Sequence, residues 1–412
     1  MTRARYDVYL NTPDFPITHV ADLAVDEDGE VLNQVGFRYQ SKYLVAPNAF
    51  SLDPAQLPLG PGEIQLQCRN GIPALIDDYL PDAWGRRVMV RLARARHQTD
   101  FNANSVIDSL ALVGNSRIGA LAIVSKGGSP QYNQGETVAS IAEAELAAQR
   151  IDDIEHSDID PSGLSLLYLA NSGTGVGGAR PKALLHDEKG SYLAKFNRQH
   201  ADPYNNARVE LACLRMARAA GLQVSDGYVL EGINGREVLL LERFDVTPSD
   251  RRHHLITVNG LLKETSTQRD VGRAFRYDMI AEQIARYAVN IEESLTQLLR
   301  LMLFNVAIHN TDDHERNFSL IHRQGQYQLA PAYDLVPSVT AGSYHAAGYH
   351  YTVTPPRPTD AIKQGKVFGL PKTIVGQISE QVIDAVSRWQ EFAASTEVGE
   401  QDAERIEKMQ QL

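Results

Sequence analysis

The sequence predicts an α+β fold with a β-rich first part and a helical last part. Three observations predict it. Tyr6 to Leu10 and Gly36 to Tyr39 have β-type composition, with a turn signal at Asp28-Gly29. From about Ile256 the pattern turns helical, and Leu295, Leu298, Leu299, Met302, Leu303 and Val306 form one apolar stripe. Between Phe304 and Ser338 that pattern breaks: Phe318 to Ile321 and Tyr327 to Leu329 read as a short hairpin, flanked by Asp312, Asn317 and Asp334.

The bulk numbers bound what such a chain can be. A length of 412 residues calls for two or three structural units. With 43% hydrophobic and 22% charged residues the chain reads as soluble and globular. A net charge of −11 excludes a generally basic, nucleic-acid-coating protein but leaves room for a local basic site. Cys68 and Cys213 fit no metal spacing and read as two buried free thiols in a reducing compartment. The first residues are basic but lack an apolar core, and no run reaches the roughly 18 apolar residues of a membrane span. A cytoplasmic protein with no membrane partner is expected.

Taken in order, residues 74 to 97 read as a helix carrying Arg86, Arg87, Arg91, Arg94 and Arg96. This basic face suits solvent, an acidic partner or a phosphate backbone. Asn104 to Val113 and Ile118 to Val124 suggest a helix and a strand, and the polar Ser125 to Glu136 a loop. An Ala-rich helix follows from about Val138 to Arg150, and the acidic run Asp152 to Asp160 reads as a linker. The expected domains are 1–155, an N-terminal α/β domain; 156–245, a small lobe; and 246–412, a helical lobe.

The run Asn171 to Lys182 holds four glycines in six positions, which lets backbone amides approach an anion closely. Ala183 to Leu185 and Ser191 to Phe196 then read as two strands joined at Asp187 to Gly190, with Lys195 on the second. Pro203 to Gly221 reads as a helix, with Glu210 in its first turns and Gly221 as its stop. Tyr228 to Leu230 and Glu237 to Leu241 are further strands running into Glu242-Arg-Phe-Asp245. Val289 to Glu293 carries a capping-box spacing ahead of the apolar stripe. Ser338 to Pro358 lacks periodicity and is expected to be a mobile loop. Ile374, Ile378, Val382, Val386 and Trp389 mark a late helix.

Glycine loop, strand lysine, helix glutamate, hinge, Asp…Asn and a second Asp stand in the order protein kinases use, so the fold class sharpens to a two-lobed protein-kinase-like one. Asn317 follows Asp312 by five residues, and Asp334 follows it by 22. In such a layout the first Asp orients a substrate hydroxyl, and the Asn and second Asp are hard oxygen ligands for magnesium on ATP. A zinc site at Asp312, Asp313, His314 and His309 is rejected, because no second segment offers His or Cys at ligand spacing.

Here the sequence resembles the HipA family of serine/threonine kinases, toxins of bacterial type II toxin–antitoxin systems. The likeness rests on Asn310-Thr-Asp-Asp-His-Glu-Arg-Asn317 with Leu329-Ala-Pro-Ala-Tyr-Asp334, on Gly177 to Leu185, and on Leu241 to Asp245. More loosely it includes Leu80-Pro-Asp-Ala-Trp-Gly85 and Gly114 to Ile123. The resemblance implies Asp312 as catalytic base and Asn317 and Asp334 as Mg2+ ligands. It implies ATP contacts from Gly177, Gly178, Ala179, Arg180, Pro181, Lys182, Lys195, Glu242, Arg243, Phe244, His314, Glu315, Arg316, Asn317, Tyr333 and Asp334, with Glu210 in a structural ion pair. It also implies a small helix-turn-helix antitoxin of the HipB kind, operator DNA through it, and a translation-related protein substrate, in some members an aminoacyl-tRNA synthetase. Departures concern control: family members can carry an autophosphorylated serine at the position where Gly175 stands, so either Ser172 or Thr174 takes that role or this control is absent. Asn310-Thr replaces His-Arg, and Leu-Val follows Asp334 in place of Phe-Gly. Two other readings stay open, a kinase-fold enzyme acting on a small molecule and a regulatory module that holds nucleotide without turnover.

Overall fold

Alternation of apolar and polar residues along the first strands builds the N-terminal sheet. In Thr18–Asp28, from Ala21 onward, the buried positions are Ala21, Leu23, Val25 and Glu27, every second residue, so one face meets the core. The strands Ile64–Gln67, Val31–Tyr39, Thr18–Asp28, Thr2–Leu10 and Leu121–Ser125 pair in that order, all antiparallel. The turn expected at Asp28-Gly29 is there, with Gly29 at φ 61°. Glu27 shares the parity of the apolar residues and is buried with no basic partner among the described residues. Its carboxylate instead accepts hydrogen bonds from Val106 N at 2.9 Å, Ile107 N at 3.2 Å and Ser105 Oγ, capping the helix Val106–Leu112.

This computed structural model describes the chain except residues 69–70, 114–117, 133–135, 153–179, 199–201, 264–273 and 340–343. The described residues fall into two compact units. One comprises 1–196, 243–271 and 321–326; the other comprises 197–242, 272–320 and 327–412. The expected linker, apart from Asp152, and the glycine run from Asn171 to Ala179 lie outside the described residues.

In the first unit the helix expected over 74–97 is two helices, Ala74–Asp77 and Ala83–Ala95. Pro81 explains the break: it lacks an amide proton and biases Leu80 away from the helical region. Asp82 then caps the second helix, accepting from Gly85 N at 2.8 Å. The hairpin Lys182–His186 and Ser191–Phe196 is antiparallel, and Asp187 Oδ1 ties its turn by accepting from Lys189 N and Gly190 N at 2.8 and 3.0 Å. Phe50 lies between two buried imidazoles, its ring centroid 3.6 Å from His322 and 5.8 Å from His254.

In the second unit, Asn205 caps the helix Asn206–Ala219. Gly221 at φ 85° terminates it, as the sequence indicates, and a Cβ there would come 3.0 Å from the Arg300 guanidinium. Gly227–Ile233 and Arg236–Glu242 pair through Asn234-Gly235, both at positive φ, which is a favoured hairpin turn. The helices Tyr277–Tyr287, Ile291–Ala307, Lys372–Ser387, Trp389–Ser395 and Glu400–Glu407 supply the core. Leu298, Leu299, Met302, Leu303 and Val306 are fully buried, as their stripe requires. The Asn290 side chain does not cap the helix backbone; it donates to Glu293 Oε2 at 3.5 Å instead. Both cysteines are free and buried, and burial pushes the Cys68 thiol up to about 11. Among the described residues no helix is long and apolar enough to cross a membrane.

Candidate active site

The site is launched by the way the helix Ile291–Ala307 ends. His309 N donates to Val306 O at 3.0 Å and Asn310 N to Asn305 O at 2.8 Å, the paired bonds of a Schellman motif. His309 takes the left-handed position, φ 58°, where glycine is usual. Its Nδ1 meets Gln411 Nε2 at 2.9 Å, and its carbonyl accepts from Ser338 N at 2.9 Å.

The buried Asn310 amide then joins two segments. Its Nδ2 donates to Asn305 Oδ1 at 3.1 Å and to the Asp334 carbonyl at 3.2 Å. So the segment carrying Asp334 is fastened to the one carrying Asp312. Asp334 itself has φ 60°, a second strained non-glycine residue at the same place.

Asp312 and Asp313 diverge. Asp313 is fully buried and accepts from Tyr277 Oη at 2.8 Å, His345 Nδ1 at 2.9 Å and Ala347 N at 3.1 Å. Tyr277 Oη accepts in turn from Asn305 Nδ2 at 3.0 Å. Ala346 N donates to Thr311 O at 2.9 Å, and Gly348 N to Phe275 O at 2.9 Å. These bonds correct one expectation: of the segment 338–358, the part from 345 to 348 is stitched to its surroundings rather than loose, because Asp313 offers buried acceptors to it.

The Asp312 side chain is open to solvent. Crowding by protein atoms still raises its carboxyl pKa; His314 opposes the rise, and the carboxylates of Asp334 and Asp313 add to it. The Asn317 side chain donates to the Asp312 carbonyl at 2.7 Å. Its Oδ1 is buried and, among the described residues, receives no hydrogen bond. The site thus offers an unsatisfied amide oxygen and two mutually repelling carboxylates, a hard oxygen set suited to a cation. His314 Nδ1 accepts from Arg316 N at 3.3 Å and holds the single turn Glu315–Asn317. Tyr333 braces this turn from the hairpin side, donating to Arg316 O at 2.9 Å with its hydroxyl 2.8 Å from Ser319 Oγ.

The remaining site residues named from sequence are spread over both units. Gly177, Gly178, Ala179, Ser172 and Thr174 lie outside the described residues; Arg180 and Pro181 lead into the hairpin. Lys182 and Lys195 face each other across it as a directly opposed pair. Glu210 is buried on its helix, and Glu242 is exposed. Arg243 is buried in a two-point ion pair with Asp245, at 3.0 and 2.7 Å, and Asp245 also accepts from Gly119 N at 2.7 Å. The Phe244 carbonyl accepts from Arg323 Nη2 at 2.6 Å. Sequence reading missed Asn310, Asp313 and Asp82 as organising residues. Only Asp82 carried a local signal, a helix-starting Asp after a proline.

A helical scaffold presenting Asp, Asn and Asp from a helix end and a hairpin defines a kinase-type class of protein. Two family models match the chain: the HipA N-terminal domain over residues 7–124 and the HipA-like C-terminal domain over 174–402. The second match alone spans more than half of the sequence, and the chain belongs to the HipA family. It is similar to Y4mE of Sinorhizobium fredii (strain NBRC 101917 / NGR234), 28% identical over 139 residues, 32% of each chain. It is also similar to the toxin YjjJ of Escherichia coli (strain K12), 21% identical over 286 residues, 66% of this chain and 61% of that one. The matches therefore span less than two thirds of the length of these relatives. Among solved structures it is similar to HipA of Shewanella oneidensis MR-1, determined with HipB and operator DNA. That likeness has a TM-score of 0.66 at 18% identity and covers 98% of this chain and 96% of that one. The expected kinase-like, two-lobed α+β class is the class found.

Proposed function

We propose that this chain is an ATP- and Mg2+-dependent serine/threonine protein kinase that acts as the toxin of a toxin–antitoxin pair. One observation carries the reading: Asn317 spends its amide nitrogen on the Asp312 carbonyl and leaves a buried Oδ1 with no hydrogen bond among the described residues, while the Asp312 carboxyl feels the charge of Asp334. A structural asparagine has no reason to leave that atom bare.

In this reading Asp312 accepts or orients the proton of a substrate hydroxyl, and its raised pKa makes it a better base than an ordinary aspartate. Asn317 and Asp334 would hold magnesium, which would neutralise charge on the transferring phosphoryl group. Asn310 keeps the Asp334 segment fixed to the Asp312 segment, and His314 and Tyr333 hold the intervening turn. The ATP contacts assigned to 177–182, Lys195, 242–244, 314–317, Tyr333 and Asp334, with Glu210 as partner to a lysine, belong to the same reading. So do the lobes 156–245 and 246–412, and control by phosphorylation at Ser172 or Thr174.

The HipB and operator DNA in the Shewanella complex support a small DNA-binding antitoxin as partner here. The substrate class we assign is a bacterial protein of translation, such as an aminoacyl-tRNA synthetase. The test is transfer of labelled γ-phosphate to protein in a lysate, wild type against Asp312→Ala and Asp334→Ala. Loss in both variants supports the reading. Equal transfer by all three proteins sinks it, and label entering only small molecules redirects it to a metabolite kinase.

A further inference from the structure

We propose that Asp82, outside the segments assigned to the kinase reaction, is a positioning residue that holds the Lys182 side chain aimed for nucleotide phosphate. This rests on the kinase reading above. Asp82 divides its carboxylate between two tasks. Oδ1 accepts from Gly85 N at 2.8 Å and caps the basic helix Ala83–Ala95. Oδ2 lies 2.9 Å from Lys182 Nζ, in an ion pair whose side chains are only 11% and 3% exposed. The two residues are 100 positions apart in sequence, and Lys182 ends the glycine-bearing segment.

The hairpin makes this pairing consequential. Lys182 and Lys195 are directly opposed on antiparallel strands, so both side chains leave the same face of the sheet. Two ammonium groups on one face repel, and without an anchor their flexible side chains swing apart. The Asp82 carboxylate counters that repulsion by fixing Lys182 Nζ at 2.9 Å, and its hydrogen bond from Gly85 N at the helix start fixes the carboxylate in turn. Kinases solve the same problem with a lysine–glutamate pair inside the small lobe. Here the carboxylate comes from the N-terminal segment matched by its own family model, which makes that segment part of the phosphate-binding apparatus.

The discriminating variant is Asp82→Asn in the full chain. Asparagine caps a helix as well as aspartate, so the helix keeps its start and only the charge is lost. Asp82→Ser, another good cap, serves as a second variant should the first fail to fold. By calorimetry with Mg2+, affinity for ATP should fall about tenfold or more, while affinity for adenosine, which lacks phosphates, should not change. KM for ATP should rise by a similar factor with kcat nearly constant. Asp82→Asn added to Lys182→Met should worsen ATP binding no further, because Asp82 acts through Lys182. Wild-type ATP affinity in both capped variants, with transfer still abolished by Asp312→Ala, overturns the inference and leaves the kinase reading intact. Equal loss of ATP and adenosine affinity also overturns it, by assigning Asp82 a structural role. Failure of the wild-type chain to bind ATP at all would remove the kinase reading itself.

Discussion

Asp312 and Asp313 are adjacent, identical in type and opposite in circumstance. Removing Asp313 strands three buried donors, from Tyr277, His345 and Ala347, that no other described carboxylate serves. Asp313→Ala should therefore cost about 3–5 kcal/mol of stability, read from urea unfolding. Asp312 behaves the other way. Its folded pKa is raised, so the native state holds the Asp312 proton to higher pH than the unfolded chain does. Stability then falls as pH rises through that window and stays lowered above it. Asp312→Asn cannot ionise, so at pH 8 it should be at least as stable as wild type while transferring no phosphate. A loss above about 1 kcal/mol at pH 8 would mark Asp312 as a structural residue instead. Sequence spacing alone singles out Asp312 of the two, because an Asn at plus five is a chain-local relation. It says nothing of Asp313, whose partners lie more than 30 residues away.

At the scale of elements, junctions decide more than propensities. The strand Thr18–Asp28 carries its alternation through to Glu27, and that carboxylate starts the helix Val106–Leu112 some 80 residues later. Glu27→Gln keeps the volume but turns one acceptor oxygen into a donor facing other donors. It should cost roughly 1–3 kcal/mol, with faster amide exchange confined to the helix Val106–Leu112 and its start. Exchange unchanged there would mean the helix is held by its apolar face alone. The hairpins and the helix stop at Gly221 were legible in sequence because turn residues and caps act locally. The break before Asp82 had a local signal too, Pro81 followed by a helix-starting Asp, which reading 74–97 as one helix passes over. The anchoring of 345–348 was not legible, since it depends on acceptors from a distant loop.

At the scale of the whole molecule, the fold class was legible because the order of kinase-type elements survives in one dimension. The burial of charge was not, because it depends on which segments the topology brings together. That burial sets the pH response. His254 and His322 flank Phe50, and burial pushes each imidazole down to about 4. Their folded pKa values lie below the unfolded value near 6.5, so the stability they contribute is complete above that pH and is lost as pH falls toward 4. Asp53 opposes them. Burial raises it to about 7, while Ala55 N and Gln56 N donate to its Oδ1 at 2.9 and 3.1 Å. Stability tied to Asp53 is highest below the unfolded value near 3.9 and is lost as pH rises toward 7. Two histidines outweigh one aspartate, so the wild-type chain should lose stability on acidification from pH 6.5 to 4. Asp53→Asn isolates the opposing part: it should exceed wild type in stability by a few kcal/mol at pH 8, with the advantage fading to nothing near pH 4. Urea unfolding at half-unit pH steps reads both curves. A gap between them that stays constant with pH would mean that Asp53 is charged throughout and that its burial is met by a partner other than the two backbone amides.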